Sequence, residues 1–387
     1  MLGRVNFGKA SLRLQQINNN KLPFGGVDVV LVGDLAQLPP VKDKPKYDES
    51  ACTIKGLEAE TAAGIAAYQL FKDVVFLERP YRQEEEDTFF DLLQRLREGQ
   101  QTKEDWETLK LRHLHKLQGE ELERFQGHTC LRLCATREAA ATHNESTLTA
   151  LRAPIVTIVA THNTDQASRI TSAELYGGLE TVVRLAVGAR VSLKRNSWLF
   201  KGLFNGAMGW VRAILYCDGH HPSRLDHPQA VVVEFDSYTG PGFDDRAGHV
   251  AVPMQEQPAD ERPHLMRTQI PLQLAWATTI HKVQGFTFGR DQPVPCYVMN
   301  LSKREFAAGL TFVGTSRARS LDALALNPMP DLQRFHTTGK GLQANARKNH
   351  EKQQRVYAQA TEERLPELKT NQLQTLLSPS TPATSLP

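Results

Sequence analysis

Gly33-Asp34-Leu35-Ala36-Gln37-Leu38-Pro39-Pro40 sets an acid, an amide and two prolines directly after the apolar run Val27 to Val32. The prolines fix φ and remove two backbone donors, so the loop has a set shape. The apolar run reads as a buried strand. It would deliver Asp34 and Gln37 to its carboxyl end, where open α/β sheets hold their ligands. An acid and an amide there suit a polyphosphate, its metal and its attacking water. Arginine suits the same chemistry, because its fork is planar and permanently charged. Arg82 follows a second short apolar run, and Arg317 stands in Ser316-Arg317-Ala318-Arg319. A third constellation is Thr278-Thr279-Ile280-His281-Lys282-Val283-Gln284-Gly285-Phe286-Thr287. It reads as a strand end opening into a turn at a helix start. Backbone N–H groups and the side chains of Thr279, His281 and Lys282 can hold a phosphate there. Gln284 and Gly285 lie where the same loop can face a nucleotide.

The elements that must position these residues follow from apolar spacing and breakers. Residues 1–17 have helical spacing, and Asn18 to Gly26 form a turn. Residues 42–60 read as surface, 61–71 as a short helix and Val74 to Leu77 as a strand. Asp87 to Gly99 is a helix with Gly99 as its cap, and 103–117 another helix. Cys130 to Ala135 is a strand and Thr136 to Leu151 a helix carrying Asn144. From Thr181 to about Met266, short apolar runs alternate with Gly, Pro and Asp clusters, which favours a small antiparallel barrel. Asn205-Gly206 within it is hairpin chemistry. Lys194, Arg195, Trp198 and Lys201 give it charge and one stacking face. Leu272 to Ile280 resumes the α/β texture. After Pro330 the chain turns polar: Leu342 to Arg364 reads as an exposed helix, and Ser378 to Pro382 has a disordered composition.

Bulk properties bound the partners. The 387 residues suffice for two or three domains. A net charge of +3 does not by itself announce a nucleic-acid binder, although a basic groove can sit on a balanced protein. Five irregularly spaced cysteines fit a reducing compartment. Cys130 and Cys134 have the spacing of half a metal site, but no second ligand pair accompanies them. No run is long and apolar enough for a membrane span, and no signal peptide is visible at Met1.

Several of these segments, in this order, resemble the petite-integration-frequency (PIF) family of superfamily 1B, RecD-like DNA helicases. The loop at Gly33 is similar to motif III, Gly-Asp-Phe-x-Gln-Leu-Pro-Pro-Val. Tyr81-Arg82-Gln83 is similar to the family's Phe-Arg-Gln. The turn at His281 is similar to motif V, with Val283 where the family usually has Ser. Phe312 to Arg319 is similar to motif VI. Val187 to Leu193, then Asn196 and Gly202 to Gly209, resemble the family's inserted barrel. The resemblance covers most of residues 1–335. It implies an α/β fold of two RecA-like lobes, the first incomplete, with a small inserted antiparallel β-barrel. The implied parts are 1–120 for the rest of the first lobe, 121–183 and 268–335 for the second, 184–267 for the barrel and 336–387 for a disordered tail. ATP and Mg2+ would act between the lobes and drive 5′ to 3′ movement on single-stranded DNA. Gln37, Arg82 and Arg317 would be the catalytic γ-phosphate sensors. Gly33, Asp34, Gln284 and Gly285 would bind nucleotide, and Thr279, His281, Lys282 and Asn205 would bind DNA. The family implies a monomeric protein in DNA repair, recombination or telomere maintenance, acting on single strands and junctions without a membrane, in the nucleus or the mitochondrion.

One departure from the family is large. A phosphate loop reads Gly-x4-Gly-Lys-Ser/Thr, because backbone N–H groups cradle the phosphates and the lysine reaches the outer ones. No stretch of these 387 residues matches it; Gly202 to Gly206 lacks the lysine and the hydroxyl. In the family, a segment like 1–17 follows the Asp-Glu pair of motif II. The expectation is therefore a chain that starts just after that pair and hydrolyses no ATP alone. The alternative function is an inactive fragment that only binds single-stranded nucleic acid. A protein-interaction module built on the polar tail is a third reading.

Overall fold

Gly8 and Gly64 decide how the first helices meet. Helix α1 spans Arg4–Ile17 and α2 spans Glu58–Tyr68. A Cβ on Gly8 would lie 1.8 Å from Glu60 O, and one on Gly64 would lie 1.9 Å from Arg4 O. Only glycine at both positions lets the two backbones cross so closely. Phe7, Phe24 and Ala67 form the cluster behind that crossing, with the Phe7 and Phe24 ring centroids 5.2 Å apart. Arg4 is buried at the start of α1. Its guanidinium donates to the carbonyls of Asp48, Ser50 and Ala51, which pins a loop that the sequence left as plain surface.

The computed structural model describes residues 2–52, 54–83, 87–127, 129–220, 224, 226–260, 262–301, 307 and 309–377, the last twelve by their backbone course alone. They form two compact units. The first is Met1–Gln101, Glu305–Val313 and Gln333–Pro387; the second is Thr102–Arg304 and Gly314–Leu332.

Within the first unit, the strands expected at Val27–Val32 and Val74–Leu77 do not form. Both segments are extended, and their side chains do alternate. Val29 and Leu31 pack on the Phe7 cluster, while Val30 and Val32 are 88% and 81% exposed. Val75 and Leu77 are likewise 71% and 88% exposed. A strand needs a neighbour to receive its backbone donors and acceptors. The described residues of this unit contain no other strand that could act as one. Helix α3, Thr88–Glu98, forms as expected: Asp87 caps its first turn, Gly99 closes it at φ 64°, and Phe89, Leu92, Leu93 and Leu96 face inward.

The helix expected at Leu342 to Arg364 forms and runs over Leu342–Leu377, but it is not exposed all round. Ala344, Glu351, Ala358 and Thr361 are buried along one side of it, at the spacing of a single helical stripe. Arg347 donates to the Arg97 carbonyl and Lys348 to that of Glu98. Further along, Thr361 accepts from the Val74 N–H at 3.0 Å. A tail so rich in helix-forming residues needs only such a row of contacts to order. The Ser-Pro run from 378 lies outside the described residues.

The second unit holds a complete parallel sheet. Its order is Ala277–Thr279, Leu131–Cys134, Tyr297–Asn300, Leu324–Leu326. Leu133 pairs with Thr278 on one side and Met299 on the other. Helix α4, Lys103–Leu111, starts with a capping box between Thr102 and Asp105; α5 is Gly119–Gln126. Helix α6, Arg137–Ala150, starts at the Thr136 cap just beyond the central strand. The largest antiparallel sheet is an open five-stranded one in the order Leu272–Leu274, Arg190–Leu193, Met208–Leu215, Ala230–Phe235, His249–Pro253. The two outermost strands do not pair with each other, so the expected closed barrel is absent among the described residues. Val191, Val211, Val231 and Val233 fill the inner face of this sheet. Arg190, which is buried, forms a two-point ion pair with Asp236.

Candidate functional site

The turn after Thr279 leaves the carboxyl end of the parallel sheet. Thr279 pairs with Cys134, which itself leads into the Thr136 cap of α6. Asn144 on α6 fixes where this edge strand begins. Its Oδ1 accepts the Ala277 N–H at 2.7 Å, and its Nδ2 donates to the carbonyls of Ala277 and Leu274 at 2.9 and 3.3 Å. One buried amide thus replaces the strand neighbour that Ala277–Thr279 lacks on its outer side. Ile280–Val283 then forms a single 3-10 turn, with Ile280 and Val283 buried as anchors. Lys282 is exposed, and His281 is half-buried. Desolvation, followed by the charge of Arg137, lowers the pKa of His281 and favours its neutral form.

Val283 answers a question left by the motif comparison. The family's serine is replaced here by a fully buried valine, so this position packs rather than donates. Gln284 and Gly285 follow. Gly285 has φ 88°, a conformation that a side chain would strain. Gln284 Nε2 is buried without an acceptor among the described residues. Burying a donor without an acceptor is costly, and a phosphate oxygen would remove the cost. That orphan amide fits the nucleotide implied by the motifs. The implied magnesium finds no such fit. Among the described residues, no three His, Cys, Asp or Glu side chains converge on a possible metal position. Cys134 is buried and its thiol is pushed up to about 11 by desolvation, which disfavours the thiolate a metal would need.

Asn205 comes to the same place from the five-stranded sheet. It is exposed on a turn whose shape is set by two bonds: its own N–H to Asn196 Oδ1 at 2.8 Å, and the Gly206 N–H to Leu193 O at 2.8 Å. Gly206 has φ 105°, and a Cβ there would sit 3.7 Å from the Phe286 ring. The Asn205 turn and the motif V turn are therefore neighbours. Arg317 belongs to the same unit but is only 2% exposed, with Nη2 donating to Ser316 Oγ at 3.0 Å. Its carbonyl accepts the Phe288 N–H, which ties motif VI to the stretch after motif V.

Gly33, Asp34, Gln37 and Arg82 belong to the first unit. Asp34 shapes its own loop: Oδ1 accepts the Ala36 N–H at 2.9 Å, and Oδ2 accepts from Gln37 Nε2 at 3.2 Å. Arg97 lies 3.6 Å from Asp34 and 2.9 Å from Glu351 of the C-terminal helix. Burial alone would lower the Arg97 pKa, but Glu351, Asp34 and Glu98 outweigh it and hold the charge. Glu351 and its pairing with Arg97 were not evident from the sequence. The available signal was the seven-residue spacing of Ala344, Glu351 and Ala358. Arg82 lies on a bend after the second extended segment, and the adjoining 84–86 lie outside the described residues.

Comparison with known proteins agrees with this arrangement of motifs. Residues 1–107 match the PIF1-like helicase family. Over 320 residues the chain is 29% identical to the ATP-dependent DNA helicase PIF1 of Mus musculus, covering 82% of this chain and 42% of the mouse protein. The Homo sapiens PIF1 is 28% identical over 323 residues, covering 82% and 43%. The chain thus spans less than half the length of these curated relatives. The fold is similar to the crystal structure of Pif1 helicase from Candida albicans, with a TM-score of 0.64 at 23% identity, covering 90% of this chain and 74% of that one. It is also similar to Bacteroides Pif1 bound to ssDNA, with a TM-score of 0.59 at 23% identity, covering 86% and 70%. This chain is thus similar to PIF1-like helicases, by family model over residues 1–107 and by sequence over most of its length, and it shares their fold.

Proposed function

We propose that this chain carries the strand-gripping and phosphate-sensing parts of a PIF-type, ATP-dependent DNA helicase that moves 5′ to 3′ on single-stranded DNA. The observation that supports this most is the turn after Thr279, where an exposed Lys282, a neighbouring Asn205 turn and an orphan Gln284 amide meet at the carboxyl end of a parallel sheet. Thr279, His281, Lys282 and Asn205 hold the sugar–phosphate backbone in this reading. Such contacts position a strand without reading its sequence. Hydrolysis of ATP supplies the energy for movement in this reading. Gln37, Arg82 and Arg317 sense its γ-phosphate, and Gly33, Asp34, Gln284 and Gly285 shape the nucleotide contacts. The first unit corresponds to the remainder of one RecA-like lobe. The second corresponds to the other lobe with its antiparallel insertion. The relatives' names and the strand-bound Bacteroides neighbour support the substrate class. Work on junctions in repair, recombination or telomere maintenance, by a monomer in the nucleus or mitochondrion, completes the proposal.

Binding of a labelled oligothymidylate, followed by fluorescence anisotropy, tests it. The full chain should bind with a salt-dependent affinity. The pair His281→Ala and Lys282→Met should weaken binding by about tenfold, roughly 1.4 kcal/mol. Absence of salt-dependent binding by the unaltered chain would overturn the proposal.

A second reading is binding without turnover by these 387 residues. It is favoured by the lack of any Gly-x4-Gly-Lys-Ser/Thr stretch among them. Phosphate release stimulated by single strands discriminates: helicase-like turnover by the purified chain sinks this second reading.

A further inference from the structure

Two ammonium groups in the second unit share a single neutral acceptor. Lys194 follows the strand Arg190–Leu193, and Lys282 lies in the turn after Thr279. Each Nζ is 3.1 Å from Gln273 Oε1, so the two nitrogens are at most 6.2 Å apart. The amide between them is held. Gln273 pairs with Ser192 across the five-stranded sheet, and its Nε2 donates to Ser192 Oγ at 3.0 Å. That bond fixes which end of the amide faces the lysines. Gly178 keeps space for one of them: a Cβ there would lie 2.8 Å from Lys194 Cε.

The charges around this pair do not balance it. Among the described residues, neither ammonium makes an ion pair with a carboxylate. Arg137 at the start of α6 adds a third positive charge, and its own partner is Glu174 at 2.6 Å. Glu180 is the remaining acid in range. Desolvation first, then Lys194 and Arg137, push Lys282 down to about 8. Long lysine side chains are free to swing apart into water. Two of them converging on a neutral oxygen, each with donors left over, is an arrangement that an anion would relieve.

We infer that Lys194 and Lys282, spaced by Gln273, form a two-lysine seat for one phosphodiester group of a single-stranded DNA backbone. This inference rests on the strand-binding reading above, in which Lys282 already takes part, and extends it to Lys194 and Gln273, which lie outside the helicase motifs. Each lysine donates to a different non-bridging oxygen, and Gln273 holds the two ammoniums at the spacing that this requires.

The test uses the full chain and a labelled oligothymidylate over a range of salt concentrations. Each phosphate contact on a single strand contributes about 0.7 to the slope of log affinity against log salt. Lys194→Met should lower the slope by that amount. Lys194→Arg should retain it, and Lys352→Met, an equal charge loss on the C-terminal helix, should leave it unchanged. Gln273→Glu should weaken binding by placing a competing carboxylate between the lysines. Lysine methyl NMR on the reductively methylated chain gives a second readout, in which the oligonucleotide should move the Lys194 and Lys282 signals together. If Lys194→Met and Lys352→Met behave alike while the unaltered chain binds, the seat is wrong and the strand-binding reading survives. No binding by the unaltered chain sinks that reading instead. Lysine signals that respond to inorganic phosphate but not to the oligonucleotide would also overturn the seat.

Discussion

Leu131–Cys134 and Val27–Val32 are both short, β-prone apolar runs, yet only the first is a strand. The first has parallel partners on both sides, with Leu131, Leu133 and Cys134 buried. The second keeps the alternation of a strand, with Val29 and Leu31 inward and Val30 and Val32 outward, but pairs with no strand among the described residues. The difference lies outside both segments. β-propensity measures fit to a pleated, half-buried surface, and that surface is made by neighbours. Helices in the same two units show no such contrast, because their caps and hydrogen bonds are local.

The comparison predicts opposite sensitivities for similar side chains. Leu133 is 0% exposed at the centre of the parallel sheet. Leu133→Ala should cost about 3 kcal/mol in chemical denaturation of the second unit. Val30→Ala, in the run with the same strand-like pattern, should change stability by less than about 0.5 kcal/mol. Comparable losses at both positions would mean that the first segment is paired in solution. Asn144→Ala comes next in size. It strips three backbone contacts from the start of the edge strand, and leaving buried groups unpaired costs about 1–3 kcal/mol. The same change should weaken oligothymidylate binding, because the motif V turn begins at the end of that strand. Stability loss with unaltered binding would separate the strand from the turn.

What was legible in the sequence divides along the same line. Asp87, Gly99 and Thr136 marked helix ends because capping is decided by one residue and its own turn. The antiparallel strands at Arg190–Leu193 and His249–Pro253 could be bounded from alternation and turn residues. Closure of their sheet could not, since it depends on which edges meet. The site was legible where chemistry is contiguous, from Thr279 to Gly285, and at Asn205, where a hairpin turn announces itself. Asp34 was legible as an acid in a loop of set shape; its approach to Arg97 was not. The Lys194–Gln273–Lys282 cluster was not legible either, because its members are 79 and 9 residues apart and meet only through sheet register. Arg97 and Glu351 are 254 residues apart, and composition alone assigned the second to solvent.

That long-range pair offers a smaller test of how the first unit holds together with no sheet among its described residues. Arg97 bonds Glu351 at 2.9 Å, and Glu351 is buried. Glu351→Ala removes the partner that counters the burial of the arginine, while Asp34 and Glu98 remain to offset part of it. The expected loss is about 1–2 kcal/mol. It should read out as faster amide exchange in the C-terminal helix and in α3, with the second unit unchanged. Equal loss of protection in both units would mean that the helix is not a local brace.

The smallest effect concerns the same helix and is set by pH. His350 stacks on Tyr47 at 4.6 Å and lies 2.8 Å from the Tyr68 hydroxyl. Burial lowers its pKa below the ordinary 6.5, and burial likewise pushes Tyr68 up to about 12. Both rings are therefore held neutral. Below pH 6.5 the unfolded helix takes up a proton that the docked histidine refuses. Its contribution is thus complete above that value and is lost as pH falls toward the lower folded pKa. Amides of 342–361 should exchange faster at about pH 5.5 than at about pH 7.5, after correction for intrinsic rates. His350→Gln should flatten that dependence. The other histidines with lowered pKa values, His113, His143, His162 and His281, all lie in the second unit. Their titration should therefore loosen the sheet-bearing unit, and a pH response of the C-terminal helix that survives His350→Gln would assign the brace to other groups.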